Sequence, residues 1–131
     1  MALTILVVDD SRLMRNTIKA VFAKMNIACE FVEADDGKEA LVQLAKEKVE
    51  LVLLDWNMPR LSGLEFLKEA RKVEKFKTLP IIMVTSKTAR ANVIEAIQNG
   101  ATDYVTKPIN VELFIEKLIR LPLFKGYKPA A

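Results

Sequence analysis

The chain has 131 residues, enough for one domain with its own core, and its 51% hydrophobic and 28% charged shares are those of an ordinary globular protein. It contains no histidine, which excludes Ser-His-Asp chemistry, a histidine metal site and phosphoryl transfer through a histidine of its own. The net charge of +3 is uneven: residues 1–55 hold seven basic and ten acidic side chains, residues 56–131 thirteen and seven, and no basic tract is interleaved with aromatics, so no nucleic-acid surface is expected.

In chain order, "LTILVVDD" (3–10) is a short β-branched run that ends in two acids. Met14, Ile18, Val21, Phe22 and Met25 then recur at helical spacing. "CEFVEA" (29–34) alternates like a half-buried strand, and 35–48 returns to helix. "ELVLLD" (50–55) is a strand apolar on both faces that runs straight into one carboxylate, Asp55, followed by the turn signal Met58-Pro59. Residues 62–75 are helical with Ser62 as N-cap, and "PIIMVTS" (80–86) is a fourth strand entered through Pro80. Helix 88–100 closes on Gly100, strand 102–108 follows, and helix 110–121 stops before Pro122. Gly37 and Gly63 sit where the second and third helices start and ease those starts. The last segment, 122–131, has no clear period and reads as a loosely held C-terminal tail.

No apolar run approaches a membrane span, the first residues lack a basic flank and cleavage site, and the single Cys29 cannot build a disulfide framework. A cytoplasmic, membrane-free protein is therefore expected, with Cys29 a small buried hydrophobe rather than a reactive thiol.

Five strand-helix units in strict alternation imply an α/β fold, a doubly wound parallel sheet with helices on both faces. Ligands bind such sheets beyond the carboxyl ends of the strands. Those ends carry Asp9-Asp10, Asp55 and Thr85-Ser86, and the fifth delivers Lys107. In the commonest five-strand order, 2-1-3-4-5, the first and third strands are neighbours, so three carboxylates crowd together and repel unless a cation joins them. A hard divalent ion, Mg2+ first among them, answers that need. Each residue taken alone has a plainer reading: Asp10 as a helix cap, Asp55 as a turn residue, Lys107 as an ordinary surface lysine. Those readings do not explain why all of them fall at one edge of one sheet.

Asp9-Asp10, "DWNMP" with Asp55, Thr85, Tyr104 and "KP" at Lys107-Pro108 resemble the receiver domain of two-component response regulators, most closely single-domain chemotaxis regulators of the CheY type, over residues 3–121. CheY is itself a standard example of the flavodoxin-like (βα)5 order 2-1-3-4-5. The resemblance implies a receiver domain over residues 1–121 and gives each residue a role. Asp55 would be the phospho-acceptor, modified to an aspartyl phosphate, with Thr85 and Lys107 on the phosphoryl oxygens. Asp10 and Asp55 would bind Mg2+ directly, Asp9 through water, and the Asn57 backbone carbonyl would supply another oxygen. Thr85 and Tyr104 would form the switch, although Tyr104 can equally be an amphipathic edge residue. Lys107-Pro108 is a candidate cis peptide, with a trans proline opening the last helix as the competing reading.

Lacking histidine, the chain would receive its phosphate from a sensor histidine kinase or a phosphotransfer protein, with a phosphatase as a further partner. It would catalyse only its own phosphorylation and dephosphorylation, and signal by protein contact, in chemotaxis or another phosphorelay. Ser86, Lys87, Asn57 and Ile109 depart from or tune the family pattern. A haloacid-dehalogenase-type phosphatase wants a second acid two residues after the nucleophile, where Asn57 stands. A flavodoxin electron carrier wants a Ser/Thr/Gly phosphate loop, where "DDSRLMR" is acidic. On the last helix Leu113 falls opposite the stripe Val111, Phe114, Ile115 and Leu118, so a target-docking surface is expected on helix four, strand five and helix five, with Tyr104, Lys87 and Arg90 alongside.

Overall fold

The structure, a computed structural model, describes residues 2–128. Five strands, β1 (Leu3–Val8), β2 (Cys29–Ala34), β3 (Leu51–Leu54), β4 (Ile81–Thr85) and β5 (Asp103–Thr106), alternate with α1 (Arg12–Lys24), α2 (Gly37–Lys46), α3 (Gly63–Lys72), α4 (Arg90–Gln98) and α5 (Val111–Ile119). All strand pairs are parallel, as the alternation predicted, and their order β2-β1-β3-β4-β5 is the commonest one for five strands.

Strand periodicity splits the interior into two cores. Leu6, Val8, Val52, Leu54, Ile81 and Met83 face one side and meet Ala40 and Leu44 of α2, Phe66, Leu67 and Ala70 of α3 and Ala96 of α4. Ile5, Val7, Leu51, Leu53, Ile82 and Val84 face the other and meet Ile18, Val21 and Phe22 of α1 and Phe114 and Leu118 of α5. Central strands buried on both sides are why β3 reads as an unbroken apolar run.

Helix starts follow side-chain chemistry. Ser62 caps α3 in a full capping box with Glu65. Asp36 caps α2 and Asn110 caps α5. Ser11 accepts from the Met14 N–H to cap α1, so Asp10 is not that helix's cap. Elements are shorter than expected at their ends. β1 stops at Val8; the Asp9 N–H still donates to the Ala34 carbonyl at 3.1 Å, but its carboxylate already turns the chain by accepting from the Ser11 N–H. α3 ends at Lys72, where Val73 turns extended and a short 3-10 turn, Glu74–Phe76, follows.

The segment after 121 is not loose where it is described. Pro122–Phe124 forms a 3-10 turn, the Phe124 ring is buried 6.4 Å from the Phe22 ring, and the Tyr127 hydroxyl donates to the Met25 carbonyl at 3.1 Å. Apolar side chains at 123, 124 and 127 give it something to bury, which a reading based on period alone overlooked. Residues 129–131 of the expected tail lie outside the described residues. Cys29 is half-buried against the α1/α5 core, and burial raises its thiol pKa, as suits an unreactive side chain.

Candidate functional site

The sheet register builds the site. Val8 pairs with Leu54, and the Asp55 N–H donates to the Val8 carbonyl at 2.9 Å, so Asp9 and Asp55 leave adjacent strands side by side. On the other flank Thr85 pairs with Thr106, and the Lys107 N–H donates to the Thr85 carbonyl at 2.9 Å. Lys107 then reaches back across the sheet end. Its ammonium lies 2.8 Å from Asp9 Oδ2 and 3.3 Å from Asp55 Oδ2, a bridge between residues far apart in sequence. The Lys107-Pro108 peptide is cis.

Two of the three acids are buried. Asp9 is 1% and Asp55 7% exposed, whereas Asp10 faces solvent. Burial pushes the Asp55 carboxyl above its ordinary value, and the neighbouring Asp9 charge adds to that; Lys107 and the Trp56 N–H oppose it and lose. For Lys107, burial disfavours the ammonium, but its hydrogen bond to Asp9 and the fields of both acids outweigh that and raise its pKa. The lysine therefore stays charged and is shared between two carboxylates.

Each of Asp9, Asp10 and Asp55 offers a carboxylate oxygen within 4.8 Å of the others. This is a set of hard oxygen donors open to solvent on the Asp10 side. It suits Mg2+, whose ~2.1 Å bonds place opposite ligands ~4.2 Å apart. Asn57 stands exposed in the loop after β3, and among the described residues its carbonyl accepts no hydrogen bond.

Thr85 is fully buried, its hydroxyl oxygen accepting from the Lys87 N–H at 3.3 Å. Tyr104 is also buried, at 4% exposure, with its hydroxyl donating to the Lys87 carbonyl at 2.6 Å. Its ring sits in the α2/α3/α4 core and so offers little to the outer surface expected to include it. The rest of that surface does present apolar groups: Ile94 and Ile97 on α4 and Leu113 on α5 are exposed, Leu113 at 51%.

Four features of the site were not anticipated from the sequence. Arg15 donates to the Asp9 carbonyl at 2.6 Å, the Lys87 ammonium lies 5.5 Å over the Trp56 ring, and Arg60 binds Asp36 beside the loop that carries Asn57. Gly63 is required by close approach, because a Cβ there would fall 1.9 Å from the Asp55 carbonyl oxygen. None carries a spacing signal, since each depends on how the chain turns at the end of a strand or on side chains that meet in space.

The response regulator receiver domain model matches residues 5–119. A chemotaxis protein CheY homolog of Campylobacter jejuni is 41% identical over 115 residues, covering 87% of this chain and 88% of that protein. The solved chemotaxis response regulator CheY4 of Vibrio cholerae is 32% identical with a TM-score of 0.82, covering 92% of this chain and 98% of that one. The receiver domain of a sensor histidine kinase from Pseudomonas aeruginosa, solved with a magnesium ion coordinated in its active site cleft, is 24% identical with a TM-score of 0.80 over 92% of this chain and 97% of that one, a likeness of fold alone.

Proposed function

The chain belongs to the response regulator receiver family and is a phosphorylation-activated signalling protein of two-component systems, and from that premise we propose that Asp55 is its phospho-acceptor in a chemotaxis pathway. One observation carries the assignment: the Lys107 ammonium bridges Asp9 and Asp55 at the edge of the sheet where Asp10 completes an oxygen cluster.

The Trp56 N–H holds Asp55 Oδ1 at 2.7 Å, which leaves Oδ2, with its longer contact to Lys107, the freer oxygen. Oδ2 forms the new bond to phosphorus while the bond from phosphorus to the donor's nitrogen breaks, the electron pair leaving with that nitrogen. Lys107, no longer needed between two bare carboxylates, turns to a phosphoryl oxygen. The Thr85 hydroxyl uses its oxygen as an acceptor for Lys87, so its hydrogen remains to donate to a second phosphoryl oxygen. Asp10, Asp55, the Asn57 carbonyl and Asp9 through water would hold Mg2+, which supplies neutralisation of the phosphoryl charge when bound.

With no histidine, the chain draws its phosphate from a sensor histidine kinase or phosphotransfer protein. It is returned to the resting state by its own hydrolysis or by a phosphatase. Thr85 and Tyr104 both hydrogen-bond to Lys87, so a phosphate that engages Thr85 disturbs the residue that anchors Tyr104. The output partner docks on α4, β5 and α5, where Ile94, Ile97 and Leu113 are exposed. The proposed site of action is the cytoplasm, where a kinase-fed regulator would work; among the described residues no helix is long and apolar enough to cross a membrane.

Intact mass after incubation with acetyl phosphate and Mg2+ tests the acceptor. Wild type gains one phosphoryl group, and neither Asp55→Asn nor the chelated wild type gains any. A phosphoryl group that persists on Asp55→Asn moves the acceptor to another residue.

A further inference from the structure

We propose that Arg60, which touches none of the site's carboxylates, is a positioning residue: its ion pair with Asp36 holds the loop after β3 in the conformation that aims the Asn57 carbonyl at the divalent ion. The inference rests on the reading of Asp9, Asp10, Asp55 and that carbonyl as the ion's ligands.

The loop is strained at Arg60. Its φ is +66°, and the Leu61 N–H donates to the Pro59 carbonyl two residues back at 2.8 Å, a three-residue turn centred on a left-handed residue. Turns of this kind are rare, and glycine is the usual occupant of such backbone. Arginine bears the cost of a Cβ there, so something must hold it.

The guanidinium does so. Arg60 Nε and Nη2 both lie 2.7 Å from Asp36 Oδ2. Asp36 is itself tied down: it is 4% exposed and its other oxygen accepts the Glu39 N–H at 2.8 Å to cap α2. A second tie lies beside the first, where the Gly37 N–H donates to the Leu61 carbonyl at 3.0 Å, and a Cβ at Gly37 would fall 2.4 Å from that oxygen. On the far side, the Gly63 N–H donates to the Trp56 carbonyl at 2.8 Å.

Between these anchors, Asn57 and Met58 make no hydrogen bond among the described residues, and Pro59 has no N–H to give. The direction of the Asn57 carbonyl is therefore inherited from the pinned ends of its loop. Outer groups of this kind orient metal ligands without touching the metal. Arg60 adds a second pin on its side, charge-assisted and made through two nitrogens. Its side chain is 58% exposed, so salt screens the pair and the effect is moderate.

The test is Mg2+ affinity read from the fluorescence of Trp56, the only tryptophan, with thermal melting run in parallel. Arg60→Ala binds Mg2+ about fivefold more weakly, short of the ~10–100-fold that a metal's immediate supporting partners command. Asp36→Asn, which keeps a capping oxygen, shows a smaller loss in the same direction, and the double variant is no weaker than Arg60→Ala. Arg60→Lys recovers part of the affinity, and raising the salt concentration narrows the gap between wild type and Arg60→Ala. Variants that melt earlier yet bind Mg2+ as wild type does make the pair structural only and overturn the proposal. Asp10→Asn serves as the control: its loss of affinity alongside unchanged Arg60 variants rejects the role of Arg60 alone, and wild-type affinity in Asp10→Asn rejects the metal site on which the proposal rests.

Discussion

Asp55 and Asp36 are both buried aspartates at the top of the sheet, each facing one cation, and their environments push them in opposite directions. Asp36 takes the Glu39 N–H at the start of α2 and the Arg60 guanidinium, and its carboxyl is held below its ordinary value, first by that backbone hydrogen bond and then by Arg60. Asp55 is desolvated next to Asp9 and must share Lys107 with it, so its carboxyl is pushed up. One aspartate is satisfied and serves the architecture. The other is left short of positive charge, which is consistent with the phospho-acceptor and metal-ligand role proposed for it.

The contrast can be broken by substitution, and the largest effect is expected where the backbone itself positions Asp55. Gly63→Ala would drive a Cβ to 1.9 Å from the Asp55 carbonyl oxygen, against backbone that cannot rotate away. It should cost stability at or beyond the upper end of the ~1–3 kcal/mol of an overpacked site, and Mg2+ affinity should fall with it. Urea denaturation with parallel Mg2+ titration measures both, and a variant as stable as wild type would show that the α3 start is more pliant than it looks.

Removing the shared cation comes next. Lys107→Ala leaves Asp9 and Asp55 facing each other unpaired, and should cost about 2–3 kcal/mol in chelator, less than the ~3–5 of a fully enclosed pair because Asp10 opens the cluster to water. Mg2+ should restore much of that loss. Denaturation midpoints with and without the ion decide it, and an equal deficit in both conditions would mean that Lys107 matters for packing alone.

The smallest effect is a gain. Asp55→Asn removes a carboxylate that the fold disfavours, so it should stabilise the metal-free protein at neutral pH by about 0.5–2 kcal/mol, as relief of functional strain commonly does. The sign follows from proton uptake. With the folded carboxyl raised above 3.8, the native state binds more protons than the unfolded one in the window between those values, and wild-type stability falls as pH rises through it. The advantage of Asp55→Asn should therefore vanish on acidification. Asp36 behaves oppositely: with its folded carboxyl lowered, its contribution is present above 3.8 and is lost as pH falls through the lower folded value, so the penalty of Asp36→Asn shrinks in acid. Melting curves of both variants from neutral to acid pH should cross these trends, and parallel trends would erase the distinction between the two aspartates.

How far the sequence alone reached is visible in the same residues. Alternating strand and helix periods, the apolar runs at 51–54 and 81–84 and the cap at Ser62 are local signals, each readable within a few residues even where the element it marks pairs with a distant strand. Once alternation makes the sheet parallel, Asp9, Asp10, Asp55, Thr85 and Lys107 must fall at one edge, because every strand of a parallel sheet ends on the same side. What the sequence could not hold was anything decided by segments distant in the chain meeting in space. The burial of Phe124 against Phe22, the Tyr104 ring turned into the core, and the pairing of Arg60 with Asp36 join residues whose spacing carries no period. Which acid is satisfied and which is left wanting depends on where each cation lands. That was settled only when the sheet brought Lys107 across to Asp55 and the loop after β3 folded Arg60 onto the start of α2.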